Sequence, residues 1–349
     1  MMSNNKAKII GLTVLTSTVL LSGCGLFGTE TQKKIDPPKT VVQNKTSKET
    51  TATSKEKAEN TVKTELYLID KNGYVVPQTL DLPKTASIAK QALEYLVANG
   101  PVTEKLPNDF RAVLPEDTEL SVDISKEGVA TVNFSKEFKN YQPADEMKIL
   151  QSVTWTLTQF DNVKSVKLKM NGHALTEMPV NGTPISENLS RATGINFDTT
   201  DVVDITNTKP VTVYYIGGEE GSYYYVPVTR RVSVKETDNI VAVVNELVKG
   251  PSEKSNLVSE FMPDVKLLDA PKNEDGKVTL NFNENVYGSF EEKVISQHLL
   301  DSLVLSLTEQ TGIEKVAIQV KGKAELKNDK GKKLSEPVTR PEKVNTGSF

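Results

Sequence analysis

The sequence predicts an α+β protein of two tandem homologous domains, each a mixed β-sheet with two helices on one face, preceded by a signal peptide and a disordered linker. An internal repeat, alternating apolar residues and apolar residues at helical spacing predict this architecture. Residues 128–134 (GVATVNF) return as residues 276–282 (GKVTLNF), with Gly, Thr, Asn and Phe in the same places. The spacing of about 150 residues exceeds the roughly 20 to 50 residues of solenoid units, so it indicates one globular domain present twice.

The repeat extends on both sides of this pair. Residues 96–101 (LVANGP) correspond to residues 247–251 (LVKGP), and the tail 185–196 (ISENLSRATGIN) aligns without a gap on 334–345 (LSEPVTRPEKVN). These correspondences set the predicted boundaries: signal peptide 1–23, polar stalk 24–63, first domain 64–196, linker 197–209, second domain 210–345 and tail 346–349.

Two β-hairpins and a closing strand are predicted in each repeat. In the first repeat, residues 65–70 and 74–82 are rich in β-branched and aromatic residues and flank the turn dipeptide Asn-Gly at 72–73. Apolar and polar residues then alternate through 120–134, and again through 166–170. Alternation of this kind buries one face of a strand.

Two helices are also predicted in each repeat, because apolar residues recur there at three- and four-residue spacing. The first helices contain the apolar positions of 89–96 and 240–247, and the second helices those of 150–160 and 299–307. The predicted N-caps of the first helices are Thr85 or Ser87 in one repeat and Thr237 or Asp238 in the other.

The N-terminus is predicted to be a lipoprotein signal peptide. Lys6 and Lys8 precede an apolar run at 9–21, which is too short to span a bilayer comfortably and is followed by Leu-Ser-Gly-Cys. Cys24 is the only cysteine in the chain, so it can form no internal disulfide. We predict that Cys24 is lipidated and that two or three acyl chains anchor the protein stably, because each buried methylene contributes about 0.8 kcal/mol. The polar segment to residue 63 has almost no large apolar residue and is predicted to be a flexible stalk.

The search for catalytic or ligand-binding motifs is negative. The net charge is −4 with 25% charged residues, which does not favour nucleic acid as a partner. The two histidines, His173 and His298, have no Cys, His or acidic neighbour at metal-ligand spacing, so both are interpreted as surface residues. No P-loop, dinucleotide fingerprint or nucleophile elbow occurs. We predict no catalytic residue, no metal and no cofactor.

The Glu–Arg pairs of the two tails and a cluster of tyrosines each allow a functional interpretation beside a structural one. Glu187 with Arg191, matched by Glu336 with Arg340, is the polar pair retained in both repeats. It is interpreted as a salt bridge or cap that holds the tail, although a role in cell-wall chemistry stays open. The cluster Tyr223-Tyr224-Tyr225, near Tyr214-Tyr215, fits a strand but could stack on glycan. Alternation places Tyr223 and Tyr225 on one face and Tyr224 on the other, and one face is a candidate partner surface.

The chain resembles the GerMN-domain family of sporulation and germination lipoproteins from endospore-forming bacteria. Two copies of the Leu-Val-x-Gly-Pro helix end, the Gly-x-x-Thr-x-Asn-Phe hairpin and the Ser-Glu…Arg…Asn tail lie behind a lipobox and a polar stalk. The resemblance implies a fold similar to ring-building motifs and a role that is not enzymatic. It implies partners in the envelope channel complex between mother cell and forespore, ring-type homo-oligomers and a place on the mother cell membrane facing the intermembrane space.

Two functions from different classes therefore stand at this point. The first is a membrane-tethered scaffold that binds envelope proteins or its own copies through its domains. The second is a protein that binds or modifies peptidoglycan, with Glu187, Glu336 or the tyrosine cluster involved.

Overall fold

The computed structural model describes residues 60–200, 202, 204–288, 291 and 293–346. The predicted signal peptide, Cys24 and the predicted stalk up to residue 59 lie outside the described residues. Residues 61–63 were predicted as stalk but are the start of a strand, Thr61–Asp70. No helix in the described part of the chain is long and apolar enough to cross a membrane.

The first repeat contains seven strands and two helices in the described part of the chain. They are β1 (Thr61–Asp70), β2 (Val75–Pro83), α1 (Ile88–Glu94), β3 (Phe110–Arg111), β4 (Leu120–Ile124), β5 (Val129–Phe134), α2 (Glu146–Leu157), β6 (Ser165–Met170) and β7 (His173–Ala174).

The second repeat follows the same order of long elements. Its elements are β8 (Thr208–Gly217), β9 (Tyr224–Ser233), α3 (Asn239–Lys249), β10 (Lys272–Glu274), β11 (Lys277–Phe282), β12 (Val294–Ile295), α4 (Gln297–Thr308), β13 (Lys315–Val320), β14 (Lys327–Asn328) and β15 (Val338–Thr339).

Each repeat has the predicted mixed sheet. Its strand order is β4-β5-β6-β7 in the first repeat and β10-β11-β13-β15 in the second. The central pairs β5–β6 and β11–β13 are parallel, and the outer pairs are antiparallel. The opening hairpins, β1–β2 and β8–β9, belong to separate sheets. The fold is therefore confirmed as α+β. Most strands of each repeat belong to the hairpin or to the mixed sheet, while β3 joins the first hairpin and β12 pairs with β14.

The second helix of each repeat lies between the hairpin and the mixed sheet. Helix α2 contacts β1 and β6, and α4 contacts β8 and β13. Nearly every side chain from Ile149 to Leu157 is consequently buried, which explains apolar and small residues on all sides of this helix. Small hydroxyl side chains face the hairpin backbone: Thr156 Oγ1 accepts from Tyr67 N at 3.2 Å and Ser306 Oγ accepts from Tyr214 N at 2.8 Å.

The first helices differ in length. The Asp238 carboxylate caps α3 by accepting from Ile240 N at 2.8 Å. Asp238 was one of the two alternatives predicted for this N-cap. Ser87 is the N-cap of α1 but makes no side-chain capping bond. Helix α1 ends at Glu94, and just beyond it the carbonyl of Leu96 accepts from Val113 N and Leu114 N, both at 2.9 Å.

The core is formed by the predicted apolar alternation. Ala130, Val132 and Phe134 of β5 are fully buried, and so are Val278, Leu280 and Phe282 of β11. The turn before β5 places Gly128 at φ +88, a left-handed conformation that a side chain disfavours. This glycine is one reason why the same motif occurs in both repeats.

Candidate functional site at the interdomain interface

The second strands of the two hairpins, β2 and β9, contact each other where the repeats meet. Each of these strands also receives the C-terminal tail of the other repeat. The tail of the first repeat reaches β9, where Ile195 N donates to Thr229 Oγ1 and Thr229 N donates to Ile195 O, both at 2.8 Å. The tail of the second repeat reaches β2, where Val344 N donates to Thr79 Oγ1 at 2.9 Å and Thr79 N donates to Val344 O at 3.2 Å.

Asn196 joins the two repeats at the end of the first tail. Its Oδ1 accepts from Val75 N at 2.8 Å, and its Nδ2 donates to Val75 O at 2.7 Å and to Pro227 O at 2.8 Å. One side chain thus binds a strand of its own repeat and a strand of the other. Its φ of 45 lies in the left-handed region that asparagine tolerates better than most residues.

Asn345 repeats this arrangement in the other direction. Its Oδ1 accepts from Tyr225 N at 2.8 Å, and its Nδ2 donates to Tyr225 O at 2.9 Å and to Pro77 O at 2.8 Å. Its φ is 54. Asn345 aligns with Asn196 and Pro77 with Pro227 in the sequence repeat, so the interface is built from equivalent residues and has an approximate two-fold symmetry.

A cluster of charged and aromatic side chains lies beside this hydrogen-bonded core. Arg191 of the first repeat binds Glu309 of the second with both carboxylate oxygens, at 2.8 and 2.9 Å. The guanidinium carbon of Arg191 stands 4.5 Å from the ring centroid of Trp155 and 5.9 Å from that of Tyr67. One nitrogen, Nη1, makes both contacts to the carboxylate, while the planar guanidinium lies against the aromatic rings, a stacking that a lysine ammonium does not reproduce.

Arg340 of the second repeat occupies the position that corresponds to Arg191. It donates to Tyr214 OH at 3.2 Å and lies 5.5 Å from the centroid of that ring. It also lies 3.8 Å from Glu65 of the first repeat and 3.6 Å from Glu309. The cluster therefore contains two arginines, two glutamates, two tyrosines and Trp155, contributed by both repeats.

Burial and charge determine the protonation state of this cluster. The side chain of Glu309 is only 7% exposed. Burial by itself would raise the pKa of Glu309. The positive charges of Arg191 and Arg340 lower this pKa by more than burial raises it, so the pKa lies below its ordinary value. Burial raises the pKa of Tyr214 to about 12. The glutamate is ionised and the tyrosine is neutral at neutral pH, and the ionised glutamate is held by arginine.

The structure corrects the predicted pairing of Glu187 with Arg191 and of Glu336 with Arg340. Both of these glutamates are exposed, whereas both arginines turn into the interdomain interface. The arginines could be found from the sequence because both repeats retain them. Their partners could not, because Glu309 corresponds to a glutamine in the first repeat and Glu65 to a threonine in the second.

A further contact between the repeats involves the predicted tyrosine cluster. Tyr224 donates its hydroxyl hydrogen to Asp70 Oδ2 at 2.7 Å, and its ring packs at 5.2 Å, edge to face, on Phe110. Asp70 also accepts from Tyr74 N at 2.8 Å. Burial raises the pKa of Asp70, and the hydrogen bonds oppose this shift. Tyr224 therefore has a structural role between the repeats.

Tyr223 and Tyr225 lie on the opposite face from Tyr224, as alternation predicts. Both rings contact His298, at centroid distances of 5.3 and 6.3 Å. Tyr225 donates to Asp301 at 2.9 Å, whereas Tyr223 is 44% exposed. The exposed side of this cluster, on the second repeat, is the surface that a partner could reach.

The two histidines differ from each other. His173 is exposed, as predicted. His298 is half-buried under the tyrosine rings, and its Nδ1 lies 3.7 Å from Glu260, so its interpretation as a plain surface residue is incomplete. Within the described ranges, no group of three His, Cys, Asp or Glu residues is arranged to hold a metal ion.

The comparisons with known proteins agree with this geometry. A family model, Germane, described as sporulation and spore germination, matches residues 65–176 and 212–326, one match in each repeat. The chain belongs to the Germane family. This Germane protein is 56% identical over 359 residues to the spore germination protein GerM of Bacillus subtilis (strain 168), with 98% of each chain covered.

A solved structure extends the likeness to the arrangement of both domains. The tandem GerMN domains of the sporulation protein GerM from Bacillus subtilis match with a TM-score of 0.79 and 59% identity. The match covers 82% of this Germane chain and 100% of the solved one. The resemblance to tandem GerMN domains that the sequence motifs indicated is thereby confirmed.

Proposed function

We propose that this protein is a lipid-anchored scaffold outside the cytoplasm that supports the assembly or localisation of a channel complex between mother cell and forespore. The observation that supports this proposal is what the polar tail residues present in both repeats bind. Both tail arginines and both tail asparagines join the two repeats: Arg191 reaches Glu309, Arg340 lies 3.8 Å from Glu65, and the asparagines bind backbone of the other repeat. Side chains that hold the two domains together are not available for catalysis, which supports a scaffold role.

Lipidation of Cys24 supplies the place of action in this proposal. Diacylglyceryl on the thiol and a further acyl chain on the amine, palmitate among them, hold the protein at the mother cell membrane. The predicted polar stalk would then separate the lipid from the folded repeats, which begin with β1 at Thr61. The repeats would thus work within the intermembrane space.

Open sheet edges supply the means of assembly. Strand β4 is at one edge of the first mixed sheet and β10 at one edge of the second. An unpaired edge strand can accept another strand, from an envelope protein of the channel complex or from a second copy. Head-to-tail contacts of this kind close into a ring when their rotation allows it.

The test follows a Cys24→Ala variant by cell fractionation during sporulation, with a channel-complex protein imaged in the same cells. We expect the variant to leave the membrane fraction and the channel protein to lose its position. Ser47→Ala, within the stalk, is the matched control and should change neither. A channel protein that keeps its position in the Cys24→Ala strain would contradict the scaffold proposal.

The alternative, binding or modification of peptidoglycan, is tested separately with Glu336→Gln. Glu336 is exposed and its substitution leaves the interface contacts of Arg340 in place. The scaffold proposal expects unchanged thermal stability and unchanged sporulation. Loss of sporulation with intact folding would favour cell-wall chemistry instead, and Glu187→Gln provides the equivalent change in the first repeat.

A further inference from the structure

The interdomain interface is reciprocal, which means that each repeat presents both halves of it. The first repeat offers Pro77 O as an acceptor and Asn196 as a donor, and the second offers Pro227 O and Asn345. Thr79 and Thr229 receive the tails in the same equivalent way. An interface with this symmetry is isologous, the type that joins identical subunits in two-fold dimers.

The charges of the interface are balanced in the same way. The first repeat contributes Arg191 and Glu65, and the second contributes Arg340 and Glu309. Each repeat therefore brings one arginine and one glutamate to the cluster. A first repeat and a second repeat neutralise each other whether or not they belong to the same chain.

Among the described residues, the connection between the repeats has few hydrogen bonds to either repeat. The first tail ends on β9, where Arg230 binds Asp198. The next contact of the chain with this hairpin is at Ile205, whose carbonyl accepts from Arg231 Nη2 at 3.0 Å. Between these points, the hydrogen bonds of the described residues are local, such as Val202 N to Thr199 O at 3.0 Å. A stretch of this length can extend to about 20 Å.

We propose that this interface also forms between two copies of the chain, giving an exchanged dimer in which the first repeat of each copy packs on the second repeat of the other. Each contact described above either lies within one repeat or joins a first repeat to a second repeat, so all of them can persist in the exchanged dimer. The exchange requires a change only where the chain passes from one repeat to the other. This inference goes beyond the scaffold function proposed above and does not rest on it.

Concentration decides between the two forms. Within one chain the repeats are held at an effective concentration of the order of millimolar, so a dilute solution favours the closed monomer. Crowding on one membrane surface raises the concentration of second copies and favours exchange. The partner that fits this surface is therefore another copy of the same protein.

Charge reversal across two chains tests the exchange. One full-length chain carries Arg191→Glu and the other carries Glu309→Arg, both in a Cys24→Ser background so that shared lipid or detergent cannot join them. Each variant alone places like charges together, with three glutamates around Arg340 or three arginines around Glu65. Co-expression allows an exchanged dimer with two neutral interfaces, one of native charges and one of reversed charges.

The expected result is a one-to-one complex of twice the monomer mass, measured by native mass spectrometry on chains with two different tags. Either variant alone should remain monomeric or be recovered poorly. A single chain with both substitutions, Arg191→Glu and Glu309→Arg, is the matched control and should be a monomer. Monomers alone in the co-expressed sample, or equal amounts of homodimers and heterodimers, would overturn the proposal.

A second measurement covers the case in which the variants do not fold. Two wild-type chains with different tags, again with Cys24→Ser, are co-expressed at high level and purified on both tags in succession. Exchange predicts a doubly tagged dimer whose share falls on dilution, because dilution favours the closed monomer. Absence of any doubly tagged species rules the exchange out.

Discussion

Replacement of Asn345 by alanine is the most direct test of how the two repeats are held together. The side chain makes three hydrogen bonds to backbone groups of β2 and β9, all between 2.8 and 2.9 Å. Each such bond contributes about 0.5–1.5 kcal/mol net, so its loss costs roughly 2–4 kcal/mol. The left-handed φ of 54 adds about 1 kcal/mol when alanine must adopt it.

A matched control separates these two costs. Asn171 is exposed and has φ 49, so Asn171→Ala carries the backbone cost without the interface bonds. Urea unfolding at pH 7 should give a loss of roughly 3–5 kcal/mol for Asn345→Ala and about 1 kcal/mol for Asn171→Ala. By symmetry, Asn196→Ala should resemble Asn345→Ala. Equal losses for Asn345→Ala and Asn171→Ala would refute the role of the asparagines in the interface.

Three other side chains give predictions for the same unfolding assay. The pKa of Glu309 is lower in the folded protein, so the stability it contributes is complete above the unfolded pKa of about 4.3 and is lost as the pH falls through the folded pKa. Glu309→Gln should therefore reduce the loss of stability at acid pH. An unchanged loss would contradict this prediction. Burial raises the pKa of Glu146, but hydrogen bonds from Thr183, Asn181 and Tyr141 lower it to about 2. Glu146→Gln should therefore remove the pH dependence of the unfolding free energy between about pH 4 and pH 2. An equal loss of unfolding free energy at all pH values would count against this. Tyr224→Phe leaves buried Asp70 without its hydroxyl donor and should cost about 1–3 kcal/mol at pH 7, whereas a loss below about 0.5 kcal/mol would show that Asp70 finds another partner.

The sequence by itself determined the repeat, the fold class and most elements. Apolar alternation in residues 130–134 and 278–282 identified the buried strands, because a strand with one buried face has a period of two. The same rule placed Tyr223 and Tyr225 opposite Tyr224. Asp238 was recognisable as a cap because capping is a local interaction between neighbouring residues.

The tertiary structure alone decided how the retained polar residues are used. Alignment of the tails showed that Arg191 and Arg340, and Asn196 and Asn345, hold equivalent positions, but a local pairing with Glu187 and Glu336 was the nearest interpretation. The actual acceptors are Glu309, Glu65 and the backbone of β2 and β9, distant in the chain and different between the repeats. A contact between distant segments depends on how two folded surfaces dock. The periodicity of a sequence indicates only which side of each helix or strand is buried.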